Sequence, residues 1–312
     1  MQVFGRLACN QEGRNQMYRR ILVPLDGSPT GDRVLPYVRN LGRKLDAKVD
    51  LFRVFDSQPE YFYPEPFLYQ GRSEDSEIYR GKVMTSLETA KTNLESAGVA
   101  AVAVMHEPDH PETDLNGDDH SCGTPAQHII SESKKVADTL IVMATRGRVG
   151  VGRWVMGSVT DRVLHSVKTL VLIIHTEHKD AILDGSMGHI IVPLDGSEPA
   201  ELILLHALAL AKGLDAKLCL VRVTPGNNMT QSERDELDML AHQIRGEGVA
   251  YVESKVLYGD PSRAIVDLTH EYPDALVAMT SHGRSGMSRW LMGSVADTVV
   301  RQAAGPVLVL RG

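Results

Sequence analysis

The chain has 312 residues, enough for two domains of ordinary size, and its 43% hydrophobic and 23% charged residues are those of a globular protein with buried cores. A net charge of -7 with no dense run of Lys and Arg excludes general binding along a nucleic-acid backbone and disfavours attachment to a membrane surface. No apolar run reaches the roughly 18 residues of a membrane-crossing helix, the first twenty residues lack the features of a secretory signal, and Cys9, Cys122 and Cys219 are too scattered for a disulfide framework or zinc knuckle, so a cytoplasmic location is expected.

In chain order, residues 1–17 read as a flexible N-terminal tail. Short apolar runs rich in Val, Ile and Leu follow at 21–25, 49–55, 99–105, 138–143 and 169–174, separated by segments of helical length. Their apolarity is continuous, not alternating, which predicts strands covered on both faces: a parallel sheet with helices on each side. Ser28 and Pro29 carry a helix-start signal after the first run. Residues 177–188 are polar and read as a linker, and the same succession then begins again.

The repetition is explicit in the residues. ILVPLDGS at 21–28 recurs as IIVPLDGS at 190–197, an offset of 169, and GRVGVGRWVMGSV at 147–159 recurs as GRSGMSRWLMGSV at 283–295, an offset of 136. The first copy therefore holds 33 additional residues, which the intervening matches place at about 56–80 and 106–122. Two domains are expected, 18–176 with both insertions and 189–312 without them. Each is expected to be a doubly wound, flavodoxin-like α/β fold whose ligand crevice lies at the carboxyl ends of strands one and four. In the second copy Ser197, Glu198 and Pro199 open a helix carrying Leu202, Leu205 and Ala209 at helical spacing.

Two motifs fall at those strand ends. Pro24-Leu25-Asp26-Gly27-Ser28 and its twin Pro193-Leu194-Asp195-Gly196-Ser197 stop a strand and leave a carboxylate at the crevice; the plainer alternative is an Asp that only caps a turn. After strand four comes Thr145-Arg146-Gly147, nine residues, then Gly157-Ser158; the twin is Ser281-His282-Gly283, nine residues, then Gly293-Ser294. Glycine lets a polyphosphate approach the backbone, and a helix opening at the Gly-Ser pair offers free N–H groups to an anion. No G-K-[ST] is present and the glycines follow the fourth strand, so this is neither a P-loop nor a dinucleotide fingerprint. A glycine-rich turn needed only for packing is the alternative.

This pattern resembles the universal stress protein family, whose ATP-binding members carry G-x-x-G-x9-G-[S/T] after strand four and an Asp at the end of strand one. The resemblance covers about residues 18–176 and 188–312. It implies an adenine-nucleotide-hydrolase-like fold in tandem, forming an internal pseudo-dimer through the last strands, Thr169 to Ile174 and Pro306 to Leu310, with further homodimerisation open. It also implies ATP, with Mg²⁺ or Mn²⁺, in two sites: Pro24, Asp26, Val54, Met143, Ala144, Gly147, Gly157, Ser158 and Val159 in the first, and Pro193, Asp195, Val223, Met279, Thr280, Gly283, Gly293, Ser294 and Val295 in the second. Ala144 and Thr280 stand where the family motif has its first glycine, and Thr280 would be strained if that position required a positive φ. A stress-response role with the nucleotide acting as a switch for conformation or protein partner is the expected function; slow Mg²⁺-dependent hydrolysis and an interaction module without nucleotide are the alternatives.

Residues in the loops and insertions complete the candidates. Arg148, Arg153, Arg284 and Arg289 stand near the phosphate loops, and Trp154 and Trp290 read as loop anchors. The first insertion concentrates Tyr61, Phe62, Tyr63, Phe67 and Tyr69, the composition of a lid or docking surface. The second contains His106, His110 and His120 among acidic residues, candidate metal ligands without fixed ligand spacing.

Overall fold

The computed structural model describes residues 17–55, 73–108, 123–145, 156–176, 184–226, 229–281 and 292–311. In the first copy β1 (Arg20–Pro24), β2 (Lys48–Val54), β3 (Ala101–His106), β4 (Thr139–Thr145) and β5 (Leu170–His175) alternate with α1 (Leu35–Leu45), α2 (Ser73–Ser96), α3 (Pro125–Ser133) and α4 (Ser158–Ser166). The second copy repeats them as β6 (His189–Pro193), β7 (Lys217–Thr224), β8 (Val252–Tyr258), β9 (Ala275–Thr280) and β10 (Val307–Leu310), with α5 (Glu198–Leu214), α6 (Gln231–Gly246), α7 (Pro261–Glu271) and α8 (Ser294–Gln302).

All ten described strands join in one sheet of order β3-β2-β1-β4-β5-β10-β9-β6-β7-β8. Within each half the pairing is parallel, so the continuous apolar runs are strands buried on both sides, as their composition predicts. Successive strand residues point to opposite faces. Ile21, Val23, Val49, Leu51, Leu140 and Val142 pack beneath α1, α2, α5 and α6. Leu22, Phe52, Ile141 and Met143 pack beneath α3, α4, α7 and α8. The layers and winding are those expected, and each half has the order 3-2-1-4-5, so the chain reverses its direction of travel across the sheet between β1 and β4 in one half and between β6 and β9 in the other.

The halves meet where β5 and β10 run antiparallel, with Leu172 opposite Leu308, residues that are themselves twins at the offset of 136. That pairing is the pseudo-twofold axis of an internal pseudo-dimer. Nitrogen-bearing side chains bracket it at matching positions. His175, just past the core of β5 and 4% exposed, has Nδ1 3.0 Å from the Gly305 carbonyl and Nε2 2.6 Å from the carbonyl of Val300 in the last turn of α8. Its counterpart Arg311 donates to the carbonyl of His165 in the last turn of α4 at 2.8 Å. A carbonyl only accepts, so the ring nitrogen that carries the proton donates across the seam to its carbonyl, while the Arg311 cation suits the negative end of α4. The ion pair between Arg301 of α8 and Asp161 of α4, at 3.6 Å, adds to the same seam.

The two copies start their first helix differently. Ser197 caps α5, its hydroxyl accepting from the Ala200 N–H at 3.3 Å with Pro199 in the first turn. The matching Ser28-Pro29 does not open an α-helix. Its hydroxyl accepts from Gly31 at 3.0 Å, a 3-10 turn spans Gly31–Val34, and α1 begins only at Leu35. Thr30-Gly31-Asp32 stands where the second copy has Pro199-Ala200-Glu201, and these residues of low helix propensity delay the helix by about two turns.

Candidate functional site

The parallel pairing of β1 with β4 and of β6 with β9 brings two loops together at each carboxyl edge. After β1 the chain makes an Asx turn: Asp26 Oδ1 accepts from the Ser28 N–H at 2.9 Å and the Ser28 hydroxyl at 2.6 Å. Asp195 does the same with Ser197, at 3.0 and 2.6 Å. Gly27 and Gly196 sit at φ +73° and +79°, the left-handed region that glycine alone enters without strain. The carboxylate therefore shapes its own turn, and one of its oxygens is committed to it.

After β4 the chain re-enters described structure at Met156 and opens α4 with Gly157 as the N-cap, which has no side chain with which to cap the first turn. Gly293 opens α8 identically, with φ and ψ of -61° and 146° against -60° and 140°. Each start is anchored to the preceding strand, by Thr160 Oγ1 to the Ala144 carbonyl at 3.1 Å in one copy and by the Gly293 N–H to the Ser281 carbonyl at 2.8 Å in the other. The first-turn amides of both helices are thus held at the switch point, beside the Asp-bearing turn. Ser158, Val159, Ser294 and Val295 follow in those first turns.

The remaining candidates divide clearly. Pro24 and Pro193 end β1 and β6, and Val54 and Val223 lie at the ends of β2 and β7. Met143 and Met279 are buried against the α3, α4, α7 and α8 layer. Ala144 and Thr280 lie within β4 and β9, paired with Ile174 and Leu310, and neither is among the described residues of positive φ, so the strain anticipated for Thr280 does not arise. Gly147, Gly283, Arg148, Arg153, Arg284, Arg289, Trp154 and Trp290 lie outside the described residues, as do His110, His120 and the aromatic run from Tyr61 to Tyr69.

Arg53 and Tyr79 join the first crevice without having been singled out. Arg53, in β2, lies over the glycine turn so closely that a Cβ on Gly27 would stand 1.9 Å from its Nη1, and its Nη2 donates to the Tyr79 hydroxyl at 3.1 Å. Burial raises the pKa of the neighbouring Asp32, the charge of Asp26 adds to that rise, and Arg53 opposes it. The signal was available in the sequence. Arg53 recurs as Arg222 at the offset of 169, a cation kept twice near the carboxyl end of the strand, and Asp32 recurs as Glu201. Tyr79 belongs to the extra eight residues by which α2 exceeds α6 (24 against 16), so the end of the first insertion is a helical extension whose Tyr79 packs at a tilt against Phe55 with ring centres 5.7 Å apart.

Against known proteins, the model of the universal stress protein family matches residues 17–175 and 187–311. The chain belongs to the universal stress protein family. Among the relatives of this universal stress protein, one from Mycolicibacterium smegmatis is 29% identical over 60% of the chain and 65% of its own length, and one from Methanocaldococcus jannaschii is 28% identical over 54% of the chain and 89% of its own. The chain thus spans just under two thirds of the first of these. A universal stress protein of Archaeoglobus fulgidus, 21% identical, superimposes over 94% of the chain and 98% of its own with a TM-score of 0.72, which fixes the tandem fold. No helix among the described residues is long and apolar enough to cross a membrane.

Proposed function

We propose that this universal stress protein binds ATP at both crevices, each nucleotide arriving with Mg²⁺ on its phosphates, and that the bound nucleotide sets its conformation or its choice of protein partner. The single observation that carries the reading is a duplicated arrangement in which, of two paired parallel strands, one is followed by an Asp-bearing turn and the other leads to a helix start without a side-chain cap. Such a helix start suits a polyphosphate, through oriented amides and the positive end of the helix dipole. The carboxylate beside it suits the hydroxyls of a ribose, as acceptor.

In this reading Asp26, Pro24, Val54, Met143 and Ala144 surround the adenosine of site 1, and Gly147, Gly157, Ser158 and Val159 hold its phosphates. Asp195, Pro193, Val223, Met279 and Thr280, with Gly283, Gly293, Ser294 and Val295, do the same in site 2. Thr280 is 7% exposed and fills the strand end where copy one has a smaller alanine, which favours tighter retention in site 1. Among the described residues no group of three or more His, Cys, Asp or Glu converges that could cage a cation on protein ligands alone, in keeping with a metal carried on the phosphates.

The test is equilibrium dialysis with radiolabelled ATP, after the protein has been denatured and its co-purified small molecules identified by chromatography. Two equivalents are expected in the wild type, one each in Asp26→Ala and Asp195→Ala, and phosphate release well below about one per second. Two equivalents surviving in the double variant would overturn the site assignment, and turnover at that rate or faster would make the protein an enzyme instead.

A further inference from the structure

The first copy contains a pair of imidazoles that the nucleotide reading does not use. His106 closes the edge strand β3 and His128 stands in the first turns of α3, and their Nε2 and Nδ1 atoms converge to 2.9 Å with ring centres 4.6 Å apart. Both rings are held by regular structure. His106 stacks on Phe52 at 5.9 Å and 22°, and the helix start beneath His128 is fixed by a reciprocal capping box between Thr124 and Gln127. The alternation between copies is telling. His106 pairs with Val54 in the sheet, and the residue that pairs with the twin Val223 is Leu257. His128 stands three residues after the Pro125 that opens α3, and three residues after the Pro261 that opens α7 stands Ala264. Both imidazoles are thus absent together from a copy that folds the same way, so the fold does not need them.

We propose that His106 and His128 form a binding site for a divalent late first-row transition metal, with Cu²⁺ the tightest guest. Two nitrogens each about 2.05 Å from one cation lie about 2.9 Å apart at a right angle and about 3.3 Å apart at a tetrahedral one. The observed 2.9 Å is the spacing of adjacent ligands in a tetragonal site, the geometry that Cu²⁺ and Ni²⁺ adopt with imidazole nitrogen and oxygen donors. Solvent completes the coordination. Neutral imidazole is the donor, so the hydrogen that bridges the two nitrogens has to shift to the remote nitrogen of its own ring before both lone pairs can face the metal.

Chelator-treated full-length protein, titrated with CuCl₂ and NiCl₂ against a competing chelator, tests this, with the nitrogen hyperfine structure of the Cu²⁺ electron paramagnetic resonance spectrum as second readout. The double variant His106→Leu, His128→Ala installs the residues that copy two carries at the same places, and circular dichroism checks that it folds. One Cu²⁺ with two coupled nitrogens is expected in the wild type, at least about tenfold weaker binding with one coupled nitrogen in His128→Ala, and loss of the site in the folded double variant. Wild-type protein that takes up no Cu²⁺ would reduce the pair to a hydrogen bond. Cu²⁺ binding unchanged in the double variant would place the metal elsewhere and equally overturn the proposal.

Discussion

Acidification should loosen the seam between the two copies through His206. This ring, on α5 of the second copy, accepts the hydroxyl proton of Tyr18, which precedes β1 of the first, with Nδ1 3.1 Å from the phenol oxygen. Burial pushes the imidazole down from 6.5 to about 4, although the charge of Asp138 opposes the fall, and burial likewise raises the Tyr18 phenol well above its ordinary value. The neutral ring is therefore the folded form. Above pH 6.5 neither state binds a proton here and nothing is lost; below it the unfolded chain takes one up and the folded chain does not, so stability falls as pH falls towards 4. With those two values the linkage relation gives a loss of about 2 kcal/mol between pH 7.5 and pH 5. Carboxylates elsewhere also titrate in this range, so the informative quantity is the gap between wild type and His206→Gln, whose amide oxygen still accepts from Tyr18. Urea denaturation of both at the two pH values should show the wild type losing about 2 kcal/mol more than the variant. A gap that stays constant to within about 0.5 kcal/mol would refute the assignment of a buried neutral imidazole.

Three further outcomes follow from other parts of the structure. Arg20 is 4% exposed and bonds Asp50 at 3.3 Å, Glu132 at 3.1 Å and Thr139 at 3.2 Å, so Arg20→Met, which leaves Asp50 and Glu132 to Lys48 and Lys135 alone, should cost about 1–3 kcal/mol by chemical denaturation. His175→Leu leaves the Gly305 and Val300 carbonyls without their donor and should cost about 1–3 kcal/mol, while His175→Arg, which matches Arg311, should recover part of it. Gly27→Val meets both a positive φ and the Arg53 guanidinium, so it should weaken ATP retention at site 1, read by dialysis in an Asp195→Ala background where only that site fills, and leave site 2 intact, read in the single variant as one remaining equivalent.

The sheet was legible because its strands are buried on both faces, which leaves uninterrupted runs such as Ile21 to Val23 and Leu140 to Val142 that no amphipathic element would show. The pairing of the copies through their last strands was implied only by the family resemblance; the structure sets Leu172 opposite Leu308. The helix after β1 was read too early. Ser28-Pro29 looks like Ser197-Pro199, and the difference lies in Gly31 against Ala200, which lets the Ser28 hydroxyl settle into a short turn instead of a cap. Arg53 escaped attention because a lone cation in a strand reads as a solvated end; only the nearness of its guanidinium to Gly27 reveals it as part of the crevice wall. His128 escaped for another reason. It is 22 residues from His106, and no spacing rule connects the end of a strand with the first turns of the next helix until the sheet sets them side by side.

The antiparallel seam has a geometric consequence for any communication between the crevices. Because β5 and β10 run in opposite directions while each is parallel to its own half, the two carboxyl edges face opposite ways, and the crevices open on opposite sides of a single sheet. Four strands, β4, β5, β10 and β9, separate the two switch points, roughly 19 Å at the usual strand spacing. No ligand spans that, so influence has to pass through protein. The described contacts offer a route: the helix whose N-terminus lies at site 1 has its C-terminus held by Arg311 of the second copy, and the helix at site 2 has its C-terminus held by His175 of the first. Under the proposed function, a nucleotide that drew α4 towards its phosphates would pull on a carbonyl bonded to the other half, and the reverse would hold for α8. Rigid nine-residue helices transmit such a shift along their axis without needing a change in the sheet. Tandem duplication gives this arrangement something two identical chains lack, since one clamp is an arginine and the other a histidine.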